Sequence, residues 1–225
     1  MLHDDVAITV STVDDGTMKK VGHADPEQVD ENRMAWLGKY GVDVKQAVLI
    51  SLDYATDDFC QYSLLDDSAV GDGMARHSTM TNDAVATQTP QVALFLPLAD
   101  CVGAVLYDTT TKTLMLSHLG RHNLEQNGGQ KSVDFLRDNC GVKPKNIKVW
   151  LSPSAGKENY PLFDFEYKSL QEVTIEQMMA AGVGRENIIE SRIDTTTDHT
   201  YFSHSEFKKG HRQTDGRFAV LAMIK

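Results

Sequence analysis

The sequence predicts a mixed α/β fold of the α+β kind, with residues 1–225 forming a single domain. Three observations support this. Apolar runs of strand length recur along the chain, at Val6–Val10, Ala47–Leu52, Val102–Tyr107, Thr113–Ser117, Ile147–Leu151 and Val220–Ile224. Segments with helical spacing lie between them, and no internal repeat, low-complexity tract or linker divides the chain. Length and composition agree with this reading. A chain of 225 residues with 41% hydrophobic and 24% charged residues can bury a sizeable core as an ordinary globular protein.

Taken in order, Val6–Val10 alternates weakly and reads as a first strand. The turn residues Asp14-Asp15-Gly16-Thr17 follow soon after it. Asp25-Pro26-Glu27-Gln28 is a helix start, with Asp25 as cap and Pro26 in the first turn. Val29, Trp36, Leu37 and Tyr40 then share one helical face, which reads as core, and Gly41 ends the helix. Ala47–Leu52 is a strand. Residues 65–81 are rich in Gly, Asp and Ser and read as a long loop with flexible points at Gly71 and Gly73. Leu94-Phe95-Leu96 is a short strand expected to stop at Pro97.

Val102–Tyr107 and Thr113–Ser117 are joined by the polar pentapeptide 108–112, short enough for a hairpin. Gly128 and Gly129 are expected to interrupt any helix before Lys131. Val133 and Leu136 then mark a short amphipathic helix ending near Gly141, with Cys140 a structural residue at its end. Ile147–Leu151 is a strand, and Ser152–Gly156 after it is either a tight turn or a loop presenting N–H groups to an anion. Leu170–Ala181 is a helix with Val173, Gln177 and Ala180 on one side, ended by Gly182. Ile188-Ile189 is a short strand, and Val220–Ile224 closes the fold.

The hairpin carries the chemistry. Pairing its strands brings Cys101, just before the first, beside His118, just after the core of the second. A thiol and an imidazole at one end of two apolar strands serve as nucleophile and base, or as two ligands of zinc or copper. The bland alternative is a small core cysteine and a hydrogen-bonded structural histidine. Asp100 weighs against it, because an acid at the edge of an apolar run needs a partner.

The net charge of −10 argues against nonspecific binding to nucleic acid or to an anionic membrane, while leaving room for a local basic pocket. No apolar run approaches membrane-spanning length, and the first residues lack a signal-peptide pattern. Three widely spaced cysteines do not make a disulfide framework, and a cytoplasmic setting is expected.

Ala99-Asp100-Cys101, followed by an apolar strand and then His118-x-Gly120, resembles the core of the YfiH-type laccase-domain family. Its members are described both as multicopper polyphenol oxidases and as purine nucleoside phosphorylases. Further matches lie at Asp25-Pro26-Glu27 with Glu31-Asn32-Arg33, at 82–87, at Pro153, Ala155, Gly156 and Tyr160, and at Phe202-Ser203 and Gly216-Arg217. The resemblance therefore spans nearly the whole chain, and it implies mixed sheets flanked by helices.

It also implies a metal site, zinc or copper, at Cys101 and His118. The third ligand of the family is a histidine after an early strand, and here Asp53 or Tyr54 stands in its place. His77, or His122 four residues after His118, is a candidate replacement; otherwise metal binding is expected to be weak or absent. The implied activity is phosphorolysis of a purine nucleoside, or deamination of adenosine, with phosphate as co-substrate and with Arg121 and Arg217 as anion-binding candidates. Oxidation of phenols by several coppers is harder to build from eight scattered histidines with no His-x-His element. A metal-free Cys101–His118 thiol hydrolase and a binding protein without catalysis are the alternatives.

Overall fold

The computed structural model describes residues 2–22 and 24–225. Among them, ten strands form two sheets. Strands β1 (Val6–Val10), β2 (Ala47–Leu49), β5 (Ala93–Leu98) and β10 (Phe218–Ile224) make the first, in the order β1-β10-β5-β2. Strands β3 (Tyr62–Leu64), β4 (Ala84–Thr87), β6 (Val102–Asp108), β7 (Thr113–Leu119), β8 (Ile147–Leu151) and β9 (Ile188–Glu190) make the second, in the order β3-β4-β7-β6-β8-β9. Both sheets are mixed: β2 runs parallel to β5, β3 to β4 and β8 to β9, and the remaining pairs are antiparallel. Helices α1 (Pro26–Gly38), α2 (Arg121–Glu125), α3 (Gly128–Cys140), α4 (Leu170–Ala180) and α5 (His204–Lys208) complete the fold.

The alternation of side chains along the strands sets the layers. Leu94 and Leu96 of β5, Val105 of β6, Leu114 and Leu116 of β7 and Val220 of β10 pack together between the two sheets. The opposite face of the first sheet, with Phe95, Ala219 and Leu221, packs on Trp36 and Leu37 of α1. The opposite face of the second, with Leu106, Met115 and Val149, packs on Val133 and Leu136 of α3 and on Val173 and Met178 of α4. The result is helix, sheet, sheet, helix. Every residue of β5, β6 and β7 is buried, which explains why these strands read as continuous apolar runs.

Several sequence expectations need correction. Pro97 does not end its strand: β5 continues to Leu98, and Pro97 pairs with Ala219 of β10. It is tolerated because β2 pairs only with Ala93–Phe95, so beyond Phe95 the strand has no ladder on that side. Gly128 and Gly129 do not interrupt a helix but begin α3. A Cβ on Gly128 would lie 2.7 Å from the Asn123 carbonyl oxygen, and one on Gly129 3.0 Å from Gln177 Cβ. Glycine permits this close approach, and Gln177 supplies the cap: its Oε1 accepts from Gly129 N at 2.9 Å, and its Nε2 donates to the Leu124 carbonyl at 2.8 Å. Tyr40, just past the end of α1, is exposed and packs edge-on against Trp36, outside the core face that Val29, Trp36 and Leu37 form. Ala180 of α4 is likewise exposed. Strand β2 stops at Leu49, and the segment 65–81 contains a single 3-10 turn at Asp67–Ala69.

Candidate active site

The hairpin register pairs Gly103 with His118 and Val102 with Leu119. Cys101 immediately precedes this ladder. By alternation, Cys101, Gly103 and Val105 on one strand, and His118, Leu116 and Leu114 on the other, face the layer between the sheets. Cys101 and His118 therefore lie at the open end of the central core. There a cavity of about 640 Å³ contains both of them. A Cβ on Gly120 would sit 2.8 Å from Cys101 Sγ, 3.2 Å from His118 Cε1 and 3.3 Å from Asn123 Oδ1. Three polar side chains thus converge on one glycine, whose φ of −95° any residue could adopt. Glycine is needed there for space.

Asn123 organises this floor. Its Oδ1 accepts from Gly120 N at 3.0 Å, and its Nδ2 donates to Asp83 Oδ1 at 3.0 Å and to the Phe59 carbonyl. Burial raises the Asp83 carboxyl, and like charges nearby add to this. His118 is held from the same segment, its backbone N–H donating to the Asp83 carbonyl at 2.8 Å.

Asp100 is buried and adopts φ 69°, a left-handed conformation that aspartate tolerates better than most residues. Its Oδ1 accepts from Thr195 Oγ1 at 2.9 Å, its Oδ2 accepts from Ser205 N at 2.7 Å, and its carbonyl accepts from Ala155 N at 2.7 Å. One residue thereby joins the floor to the 152–156 loop and to the start of α5. The loop itself is a packed turn. Its N–H groups at Ser154, Ala155 and Gly156 donate to the Ile193 carbonyl, the Asp100 carbonyl and Asp194 Oδ1, so they are not presented to an anion.

Burial, reinforced by the Asp100 charge, pushes the Cys101 thiol up to about 12, against the pull of Arg217 and Lys19. Burial, with the Lys19 charge, lowers His118 to about 3, so its imidazole is neutral at ordinary pH. His118 Nδ1 is buried without a hydrogen-bond partner among the described residues. A buried, unpartnered, neutral imidazole nitrogen beside a thiol is a donor pair suited to zinc or copper, since a cation recruits the thiolate that burial otherwise disfavours. The donors stop at two: among the described residues no group of three His, Cys, Asp or Glu side chains converges.

The other candidates fall at different distances from this floor. Arg217 lines the cavity and is ion-paired with Asp215 at 2.6 Å. Arg121, exposed, and His122, half-buried, lie on its rim, and both face Glu125 of α2. The helical spacing that would bring His122 onto His118 is absent, because His118 ends on β7 and α2 begins only at Arg121. His122 stacks instead on Phe59, with ring centroids 4.8 Å apart. His77 is exposed and lines a neighbouring hollow. Of the two residues in the place of the family histidine, Tyr54 lines the cavity, while Asp53 is exposed and accepts from Ala55 N.

Several cavity residues, among them Asn123, Lys19, His204 and Lys208, were not expected site residues. Lys19 lies over the Tyr54 ring at 5.7 Å, and burial together with the charges of Arg217 and Arg33 lowers its ammonium. Nothing local in the sequence marks it; its segment meets that of Arg217 through contacts such as Met18 N to the Arg217 carbonyl. His204, whose Nδ1 lies 2.9 Å from Asp215 Oδ1, also lines the cavity. Its place directly after Phe202-Ser203, a matched motif, was the available signal.

Comparison with known proteins agrees with this architecture. Residues 17–168 match the family model described as multi-copper polyphenol oxidoreductase laccase, and the chain belongs to that family. The fold is similar to that of Bacillus licheniformis hypothetical protein YfiH, with a TM-score of 0.86 at 19% identity over 98% of this chain and 93% of the other. It is similar also to YlmD from Geobacillus stearothermophilus, with a TM-score of 0.85 at 20% identity over 100% and 93%. A purine nucleoside phosphorylase of Xylella fastidiosa is 25% identical over 67% of this chain and 64% of its own length. One of Deinococcus radiodurans is 27% identical over 71% and 54%. The chain thus spans little more than half to two thirds of these relatives.

Proposed function

We propose that this protein is a purine nucleoside phosphorylase, cleaving the bond between base and sugar with phosphate. The observation that carries the reading is the meeting, in one cavity, of the Cys101–His118 donor pair with the cations Lys19 and Arg217. Two cations that repel each other in a half-buried site are relieved by an anion, and phosphate is the anion the reaction requires. An oxygen of phosphate forms the new bond to the sugar C1′. The bond from C1′ to the purine nitrogen breaks, and the base departs with a proton. His118, neutral and lowered to about 3, is a poor source of that proton. His204, oriented by Asp215 at 2.9 Å and facing the same cavity, is the better placed donor.

Cys101 and His118 would hold a zinc or copper ion. Such an ion, when bound, supplies positive charge that polarises an oxygen or leaving group. A two-donor set fits loose binding. The thiol-hydrolase reading is disfavoured, because it needs a thiolate and the Cys101 thiol is pushed to about 12. The names of the Xylella and Deinococcus relatives support the phosphorylase reading.

The test is to incubate adenosine, inosine and methylthioadenosine with and without phosphate and to follow free base and inosine by chromatography. The expected result is slow, phosphate-dependent release of base by the native protein and none by a Cys101→Ala, His118→Ala double variant. Equal release by both would mark contamination. Inosine formed from adenosine without phosphate would point to deamination. No product at all would favour the binding-protein reading.

A further inference from the structure

Beside the main cavity lies a second hollow, of about 360 Å³, that shares Lys19 with it. Its charged lining is unbalanced: Lys19, Lys20, Arg33 and Arg76 face it, against the single carboxylate of Asp30. This concentration of cations occurs in a chain whose net charge is −10. Asp30 is engaged with Lys20 at 2.8 Å and lies 3.8 Å from Arg33. The carboxylate of Asp72, which does not line the hollow, is fully buried, lies 3.8 Å from Arg76 and is occupied by Ser78 and Thr79.

Arg33 is the telling member. Its side chain is more than nine-tenths buried and its guanidinium lies 5.7 Å from the centroid of the Phe95 ring, yet it makes few hydrogen bonds. Its Nε donates to the Met18 carbonyl at 2.9 Å, its Nη1 reaches the Gly73 carbonyl only at 3.5 Å, and among the described residues no hydrogen bond is made by its Nη2. A planar donor group with unused N–H capacity suits a tetrahedral oxyanion. Arg76, fixed by donation to the Ser68 carbonyl at 2.5 Å, supplies a second guanidinium. Leu49 and Met74 give the hollow an apolar wall.

We propose that this hollow is a second phosphate subsite, which takes the 5′-phosphate of a purine nucleotide whose nucleoside part occupies the main cavity. Lys19 bridges the two compartments. The inference rests on the phosphorylase reading for the nucleoside part and on Arg33 and Arg76 for the phosphate.

Calorimetry on the intact protein with adenosine, AMP and inorganic phosphate tests it, alongside Arg76→Ala and Arg76→Glu variants. Arg76 is exposed, so both variants should fold, and circular dichroism checks that they do. AMP is expected to bind about tenfold tighter than adenosine, the gain of one charge-assisted contact. The advantage should fall to about twofold in Arg76→Ala and vanish in Arg76→Glu, with adenosine affinity unchanged. Equal affinity of the native protein for AMP and adenosine overturns the subsite, as does an AMP advantage that survives in Arg76→Glu. Inorganic phosphate bound in an Arg76-dependent way with no AMP advantage overturns the nucleotide occupant. Adenosine cleavage measured in parallel keeps the two readings apart. Cleavage without AMP preference overturns the subsite alone, and Arg76-dependent AMP preference without cleavage of any nucleoside overturns the phosphorylase reading alone.

Discussion

The carboxylate of Asp100 accepts the backbone N–H of Ser205 at 2.7 Å, tying the residue before the site cysteine to the first turn of α5. Both of its oxygens are used, the other by Thr195 Oγ1. Asp100→Asn keeps the shape and tolerates the left-handed backbone, but it places an amide N–H₂ where an acceptor is needed. The expected cost is about 1–3 kcal/mol, measured by urea denaturation. Loss of the charge also removes one cause that raises Cys101, so alkylation of Cys101 by iodoacetamide at pH 8.5 should quicken in the variant.

In the native protein, Cys101 should resist iodoacetamide at pH 7, since a thiol pushed to about 12 presents almost no thiolate. Peptide mass spectrometry after timed alkylation reads this directly. Modification within minutes at pH 7 would bring the thiol-hydrolase reading back.

His118 gives stability a pH dependence of defined sign. Its folded-state value, about 3, lies below the ordinary 6.5, so between these values the unfolded chain binds more protons than the folded one. The contribution of the neutral buried ring is fully present above about pH 6.5 and is lost as pH falls toward 3. The slope from this residue approaches about 1.4 kcal/mol per pH unit. Denaturation between pH 7 and pH 5 should show the loss, and His118→Asn should flatten it.

Gly120→Ala tests the crowding of the floor. The backbone accepts alanine, but its Cβ would meet Cys101 Sγ at 2.8 Å and His118 Cε1 at 3.2 Å. The expected cost is about 1–3 kcal/mol of stability, with more than about tenfold loss of phosphate-dependent base release. Full activity in this variant would show that Cys101 and His118 need not keep their present arrangement.

Metal content follows from the donor count. With Cys101 and His118 as the pair, dialysis against chelator should leave well under one equivalent of zinc or copper by elemental analysis, and Cys101→Ser should lower it further. One retained equivalent would show that another residue, such as Tyr54, completes the site.

The approach of Cys101 to His118 was legible in the sequence because a short polar connection between two apolar runs fixes both partners and register. Helix α1 was legible from Asp25, Pro26 and its apolar stripe, and Asp25 does cap it, accepting from Glu27 N. The glycine start of α3 was not, because its cap is the side chain of Gln177, 48 residues away. Pro97 misled for a similar reason: whether a proline ends a strand depends on how far its neighbour extends, which no local pattern records. Lys19 was invisible because its position beside Arg217 is made by chain-end contacts such as Met18 N to the Arg217 carbonyl at 2.8 Å. Local motifs thus revealed the donor pair and Arg217 but not Lys19.

Strand β10 sits between β1 and β5, and Arg217 directly precedes it. During synthesis, the donor pair, α1 and the whole second sheet leave the ribosome while the first sheet still has a gap at its centre. The nascent chain would expose the apolar edges of β1 and β5 until residues near Ile224 emerge. Chaperone occupancy and proteolytic nicking are therefore expected to peak on chains stalled before β10.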